Sequence, residues 1–228
     1  MTQTPEPARQ QLAASGAADL ATAAPHAGPD RWRAETAFLL ERWSEPARRY
    51  HTVRHLAEVL AAVEELAGAG SCTPSEATTA RLAAWYHDVV YDPRAAAGSN
   101  EHRSAAIARD HLHRLGAAEE VIDAVERLVL MTLAHGTAGR GPTGPLAVMH
   151  DADLWVLAAP TGRFDQYCRQ VRQEYAHVPP ARYASARSEI LEQLVAGPVY
   201  RTRHGTARWE DRARANVARE LQRLAASR

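Results

Sequence analysis

A chain of 228 residues, 46% hydrophobic and 24% charged, has enough material for one globular domain with a sizeable core, and two domains would be cramped. Lys+Arg and Asp+Glu are equal at 27 each, so a formal net charge of zero leaves no electrostatic footprint for nucleic acid or an anionic membrane. Every basic residue is an arginine, which excludes Schiff-base lysine chemistry and the lysine of a phosphate-binding P-loop but leaves arginine as a bidentate phosphate clamp.

Residues 1–28, rich in Ala, Pro, Thr and Gln, lack the basic start and apolar core of a signal peptide. They read as a mostly disordered, dispensable tail with one short Ala-rich helix around 9–24. From residue 31 the pattern is helical almost throughout. Trp32, Phe38, Leu39 and Trp43 mark a helix stopped near Pro46. Leu56, Val59, Leu60, Val63 and Leu66 form one stripe of a helix over 50–67. Thr73 or Ser75 caps the next helix, with Pro74 and Glu76 at early positions. That helix ends in Trp85-Tyr86-His87-Asp88. Further helices are predicted over 100–115, 121–134, 146–158, 164–177, 182–195 and 208–225, with a Gly/Pro-dense loop at 136–145. No segment alternates as a strand does, and no run of 18 apolar residues exists to span a membrane. The expectation is an all-α chain with a single helical domain over 29–228. Cys72 and Cys168, far apart and outside any CxxC, fit a reducing compartment, so a cytoplasmic location is expected.

His87 and Asp88 sit side by side at the end of an apolar run. A buried carboxylate needs a cation or a metal beside it, and imidazole and carboxylate both ligate divalent ions. Alone, the dipeptide would read as a hydrogen-bonded helix end. It is not alone. His51 and His55, four apart on the predicted 50–67 helix, share a face that borders the apolar stripe. Asp151 and Asp153, two apart, are rotated by roughly 200° on a helix, so both cannot face inward. Leu146, His150, Asp153 and Leu157 make one stripe. Asp153 is therefore the expected inward carboxylate, with Asp151 behind it orienting a ligand.

His55, His87, Asp88 and Asp153 run in the order H…HD…D. With Tyr50-His51-Thr52, Val90-Tyr91-Asp92, Asn100-Glu101, Ser104-Ala105, Thr132…His135, Asp151-Ala152-Asp153-Leu154, Glu174-Tyr175-Ala176, and Tyr200 with Glu210, Arg214 and Asn216, the chain resembles the HD-domain superfamily, in particular a bacterial branch of predicted metal-dependent HD phosphohydrolases. The resemblance covers about 31–224. It implies an HD-type helical bundle and a divalent metal (Mn, Mg, Co, Ni, Fe or Zn) held by those four residues. It also implies hydrolysis of a phosphoester, with a metal-activated water as nucleophile. It does not fix the substrate; a nucleotide or another small phosphorylated molecule is expected, and a homodimer is compatible.

Around that centre, Glu101 opens a helix just beyond the loop after Asp88 and is the candidate general base, alongside an ordinary reading as a first-turn glutamate favoured by the helix dipole. His135, before the Gly/Pro loop, reads as a pocket residue: a further ligand, a leaving-group acid or a helix-ending histidine. His51, Arg54 and Arg103 are candidate substrate contacts, Arg54 also reading as part of a solvated helix face. Arg172 with Glu174 reads as a structural ion pair, between these neighbours or to another helix. Two other functions fit the same residues. An HD-type di-iron oxygenase needs two more histidines, which His111 and His135 supply on spacing. A metal-stabilised helical binding module needs no turnover.

Overall fold

The computed structural model describes residues 6–134 and 144–226, and among these every regular element is a helix. In chain order the helices are α1 (Glu6–Ala23), α2 (Pro29–Trp43), α3 (Val53–Gly68), α4 (Pro74–Tyr86), α5 (Ser99–Leu115), α6 (Glu119–Met131), α7 (Pro145–Asp153), α8 (Thr161–Glu174), α9 (Pro180–Val195), α10 (Arg203–Arg208) and α11 (Glu210–Ala225). Short 3₁₀ segments follow α6 (Thr132–Ala134) and α7 (Leu154–Ala158). No helix is long and apolar enough to cross a membrane among the described residues.

Local chemistry sets the boundaries that matter for the site. Thr73 accepts a hydrogen bond from the Glu76 amide while the Glu76 carboxylate accepts from the Thr73 amide, a complete capping box that starts α4. Thirteen residues later α4 stops, and His87 is its C-cap. At Gly116, φ of 80° closes α5 in the left-handed conformation that glycine adopts without penalty. The predicted 50–67 helix starts three residues later than expected. Thr52 is extended (φ −118°, ψ 175°), so His51 lies before α3 and only His55 is helical. Likewise, 146–158 is not one helix: α7 ends at Asp153 and tightens into 3₁₀ geometry.

Three helices, α3, α4 and α7, pack on one another at the centre. α5 and α6 cover one side of α4; α1 covers another and carries α2; α8 and α11 close around the 154–158 segment, with α9 packed on α11. The N-terminal end of α3 meets the C-terminal ends of α4 and α7. A helix C-terminus carries partial negative charge, so two of these three ends favour a cation between them.

Of residues 1–28, read as a tail, those from Glu6 to Ala24 depart from that reading. The Ala-rich helix is there as α1, and it is packed rather than loose. Leu20 and Ala24 are fully buried in the core. Gly16 lies so close to Trp85 that a Cβ would stand 2.6 Å from the indole Cζ2. Asp19 is buried too, and its carboxylate accepts from Arg81 at 2.7 Å, while Arg81 also bonds Glu64. Trp32 donates from Nε1 to the Ala24 carbonyl. Small residues at the contact let α1 approach α4 closely, a signal that composition alone reads as low complexity. Deleting residues 1–24 should lower unfolding stability by more than about 2 kcal/mol, through exposure of Trp85 and loss of Leu20. Gly16→Val should cost about 1–3 kcal/mol by overpacking. Urea unfolding measures both, and a truncated chain as stable as the full one would contradict this packing.

Candidate metal centre

His55 projects from the first turn of α3, His87 and Asp88 from the end of α4, and Asp153 from the last residue of α7. His55 Nε2, His87 Nε2 and Asp153 Oδ1 form a triangle: 3.4 Å between the imidazoles, 3.2 Å from His55 to Asp153 and 3.4 Å from His87 to Asp153. A triangle with those edges has a circumradius of about 1.9 Å, so an ion slightly off its plane would stand ~2.0–2.2 Å from all three atoms. Among the described residues this is the one group of ligand-type side chains that could hold a metal ion. Asp88 Oδ2 stands beside it, 3.2 Å from His87 Nε2 and 3.9 Å from His55 Nε2. The imidazoles are 3% and 1% exposed but Asp88 and Asp153 are 16% and 13% exposed, so the centre opens to solvent on its carboxylate side.

The two imidazoles are each held from behind. His87 Nδ1 lies 2.9 Å from the Ala84 carbonyl, which can only accept, so Nδ1 carries the hydrogen and Nε2 faces the centre. His55 Nδ1 pairs with the Tyr50 hydroxyl at 3.0 Å, and Trp43 packs its ring over His87. Such partners fix tautomer and orientation in metal sites. Trp43 is itself anchored, Nε1 donating to the Trp85 carbonyl.

Burial keeps His55 neutral by pushing its pKa below the ordinary value, which Asp153 only partly opposes. At His87 burial acts in the same direction, but the Asp88 and Asp153 carboxylates overwhelm it and raise its pKa well above normal. Burial raises the Asp88 carboxyl, yet the neighbouring His87 and His51 win and hold it far below its usual range. Two carboxylates and an imidazole that prefers to be cationic are what a site looks like when it is built to share positive charge.

His51 lies next to the cluster, with Nε2 3.9 Å from Asp88 Oδ2. Its Nδ1 is 2.8 Å from Glu174 Oε2, and its ring stacks on Tyr91 at 4.0 Å. Glu174 is the hub. It accepts from the backbone amides of Arg49, Tyr50 and His51 and from the Tyr91 hydroxyl. Burial works against its ionisation, but His51 and these donors bring its pKa down to about 2. Arg172 is therefore not its partner, as the sequence suggested; that guanidinium donates to the Tyr175 and Val178 carbonyls.

Arg48 is the residue that pattern reading missed. It is 2% exposed, and its guanidinium donates to the carbonyls of His51, Asp88 and Val89 and pairs with Glu45. One buried fork thus pins the segment before α3 to the segment after α4. Nothing in the spacing of Arg48 signals this, because two of the carbonyls it binds, those of Asp88 and Val89, lie 40 and 41 residues away.

The remaining expected residues divide. Asp151 is buried but turned away from the cluster. Its carboxylate accepts from the amides of Arg201 and Thr202 and the Thr202 hydroxyl, and burial, only partly offset by these bonds, raises its pKa to about 6. It organises the chain before α10. Glu101 sits half-buried in the first turn of α5, with no hydrogen bond or ion pair among the described residues, and its charge acts on Tyr175 beside Glu174. Arg103 is exposed. Arg54 is occupied on the surface of α3 by Glu58 and Gln166. His111 bonds Glu35 at 2.7 Å and packs on Phe38, outside the cluster. His135 lies outside the described residues.

Compared with protein-family models, curated proteins and solved structures, the chain matches none.

If the triangle binds an ion, chelator-treated protein should melt at a lower temperature than the same sample resupplied with Mn²⁺ or Zn²⁺. At one hundred times the dissociation constant the stabilisation is about 2.7 kcal/mol, roughly 5–10 °C for a chain of this size. Asp153→Ala should abolish the shift. A melting temperature indifferent to every divalent ion tried would remove the metal centre.

Proposed function

We propose that this chain is a metal-dependent phosphohydrolase acting on a nucleotide or another small phosphate ester. The observation that carries the reading is the meeting of His55, His87 and Asp153 around one ion-sized gap with Asp88 at its edge, in the H…HD…D order that resembles the HD superfamily. Asp88 is the fourth ligand in this reading. A divalent ion held there would neutralise charge on a phosphoryl oxygen and acidify a water beside it.

The chain's own groups supply the rest. His51 is pulled two ways: burial favours its neutral form, but Glu174 and Asp88 outweigh burial and raise its pKa. Its Nδ1 hydrogen is committed to Glu174, so Nε2 is left to donate on the open, carboxylate side of the centre. It is placed to hold a phosphoryl oxygen or to protonate the departing one. Glu174 positions His51, and Tyr91 fixes the ring plane. Glu101, free of competing bonds among the described residues, is the carboxylate available to take a proton from the attacking water. Arg103, exposed two residues after Glu101 on α5 and rotated by roughly 200° from it, would meet only the outlying part of a phosphorylated substrate. Arg54, bonded to Glu58 and Gln166, would have to exchange those partners to do so.

A panel of nucleotides and phosphate esters, each with Mn, Co, Mg, Ni or Fe supplied, should reveal phosphate release. Asp88→Asn should abolish it while leaving the chelated protein folded, with a lowered melting temperature because Asp88 also balances the charge of His87. Glu101→Gln should retain metal and lower kcat by roughly 10²–10⁴-fold. Loss of folding in Asp88→Asn with no hydrolysis by the parent would point instead to a metal-stabilised binding module, and an unchanged kcat in Glu101→Gln would end its role as base.

A further inference from the structure

A second cleft, of about 570 Å³, opens where the end of α3, the start of α7 and α10 come together. Gly70, Ser71, Gly144, Arg201, Arg203 and Arg208 line it. None of the cluster residues does. Its volume is in the range of small-ligand sites. Its charge is one-sided. In a chain of zero net charge, three arginines line one concavity, and no carboxylate does among the described residues. None of the three has a hydrogen bond or ion pair from its side chain to a described residue.

The nearby acids are committed elsewhere. Glu65 accepts from His204 and from the Trp209 indole. Glu76 is held in the α4 capping box. Asp151 is saturated by the backbone and hydroxyl of Thr202 and the amide of Arg201, so it fixes the backbone that carries Arg201 rather than the guanidinium. Burial draws the Arg201 guanidinium below its ordinary pKa, opposed by the charge of Asp151. A half-buried guanidinium without a hydrogen-bonded acceptor is costly, and the cost falls when an anion supplies acceptors in the fork geometry that arginine prefers. The positive end of α7, a helix that starts at Pro145, faces the same cleft. The backbone here is built, not incidental: Gly205 lies so near Asp151 that a Cβ would stand 2.6 Å from Oδ2, which seats α10 tightly against α7.

We infer that this cleft binds a small polyphosphate, of the size of a di- or triphosphate group, at a site separate from the metal centre. Three guanidinium groups match the charge of such a ligand, and a concave cavity suits a compact anion better than an extended strand. The site does not rest on the phosphohydrolase reading, because it needs neither the ion nor turnover.

The test is isothermal titration of the full chain, stripped of metal with a chelator, using sodium tripolyphosphate as the probe. Saturable binding of one equivalent is expected, weakening as salt rises. The double variant Arg201→Gln, Arg208→Gln should weaken it at least about tenfold, with an unchanged melting temperature because neither guanidinium holds the fold. Should the double variant melt early, the exposed single variant Arg208→Gln must still weaken binding. Asp153→Asn should leave binding intact. No saturable binding, equal affinity in the arginine variants, or loss of binding in Asp153→Asn would each overturn the inference. So would arginine-dependent binding of a single-stranded oligonucleotide by a chain that ignores tripolyphosphate.

Discussion

Two carboxylates and three imidazoles occupy one largely buried corner, and the surrounding helices are arranged around the need to balance that charge. Without partners, ionised groups in such a place would be driven neutral or would destabilise the fold. Here they balance one another: Asp88 and Asp153 hold His87 cationic, His87 and His51 hold Asp88 ionised, and Glu174 takes the far side of His51. Its three innermost ligand-type atoms sit at the spacing of an ion's coordination shell. A divalent cation held there would replace the proton that His87 otherwise keeps, so its binding would release a proton.

Placement comes from helix ends. The capping box at Thr73 sets where α4 begins and hence where His87 and Asp88 fall, beyond the regular turns and free to turn toward α3. The change from α to 3₁₀ geometry after Asp153 does the same for α7. Two interactions then lock the irregular segments that helical packing cannot hold. Arg48 ties the chain before α3 to the chain after α4, and Glu174 gathers three consecutive amides ahead of α3. Both use full hydrogen-bond satisfaction of a buried charged group to make a loop as rigid as a helix. α7 links the two regions of interest, with Asp153 on one face toward the cluster and Asp151 on another toward the arginine-lined cleft.

Helical periodicity made much of this legible. The all-α class and the stop at Gly116 follow from apolar spacing and turn residues, and so does the choice of Asp153 over Asp151 as the residue facing His55 and His87. Periodicity says which residues face inward but not where a helix starts, so the 50–67 reading placed His51 on a helix that begins only at Val53. Its orientation comes from Glu174, more than a hundred residues away, and no local pattern encodes that distance. Arg48 was invisible for the same reason. α1 was underestimated because alanine and glycine read as low complexity when, against Trp85, small size is what allows close packing.

The central claim is that His55, His87 and Asp153 bind one ion with Asp88 beside it. Crystals grown with Mn²⁺ and measured at the manganese absorption edge test it most directly. The account predicts a single strong anomalous peak ~2.0–2.4 Å from His55 Nε2, His87 Nε2 and an Asp153 oxygen. A metal-loaded crystal with no peak in that triangle, or with Asp153 turned to solvent and the ion held elsewhere, would contradict it.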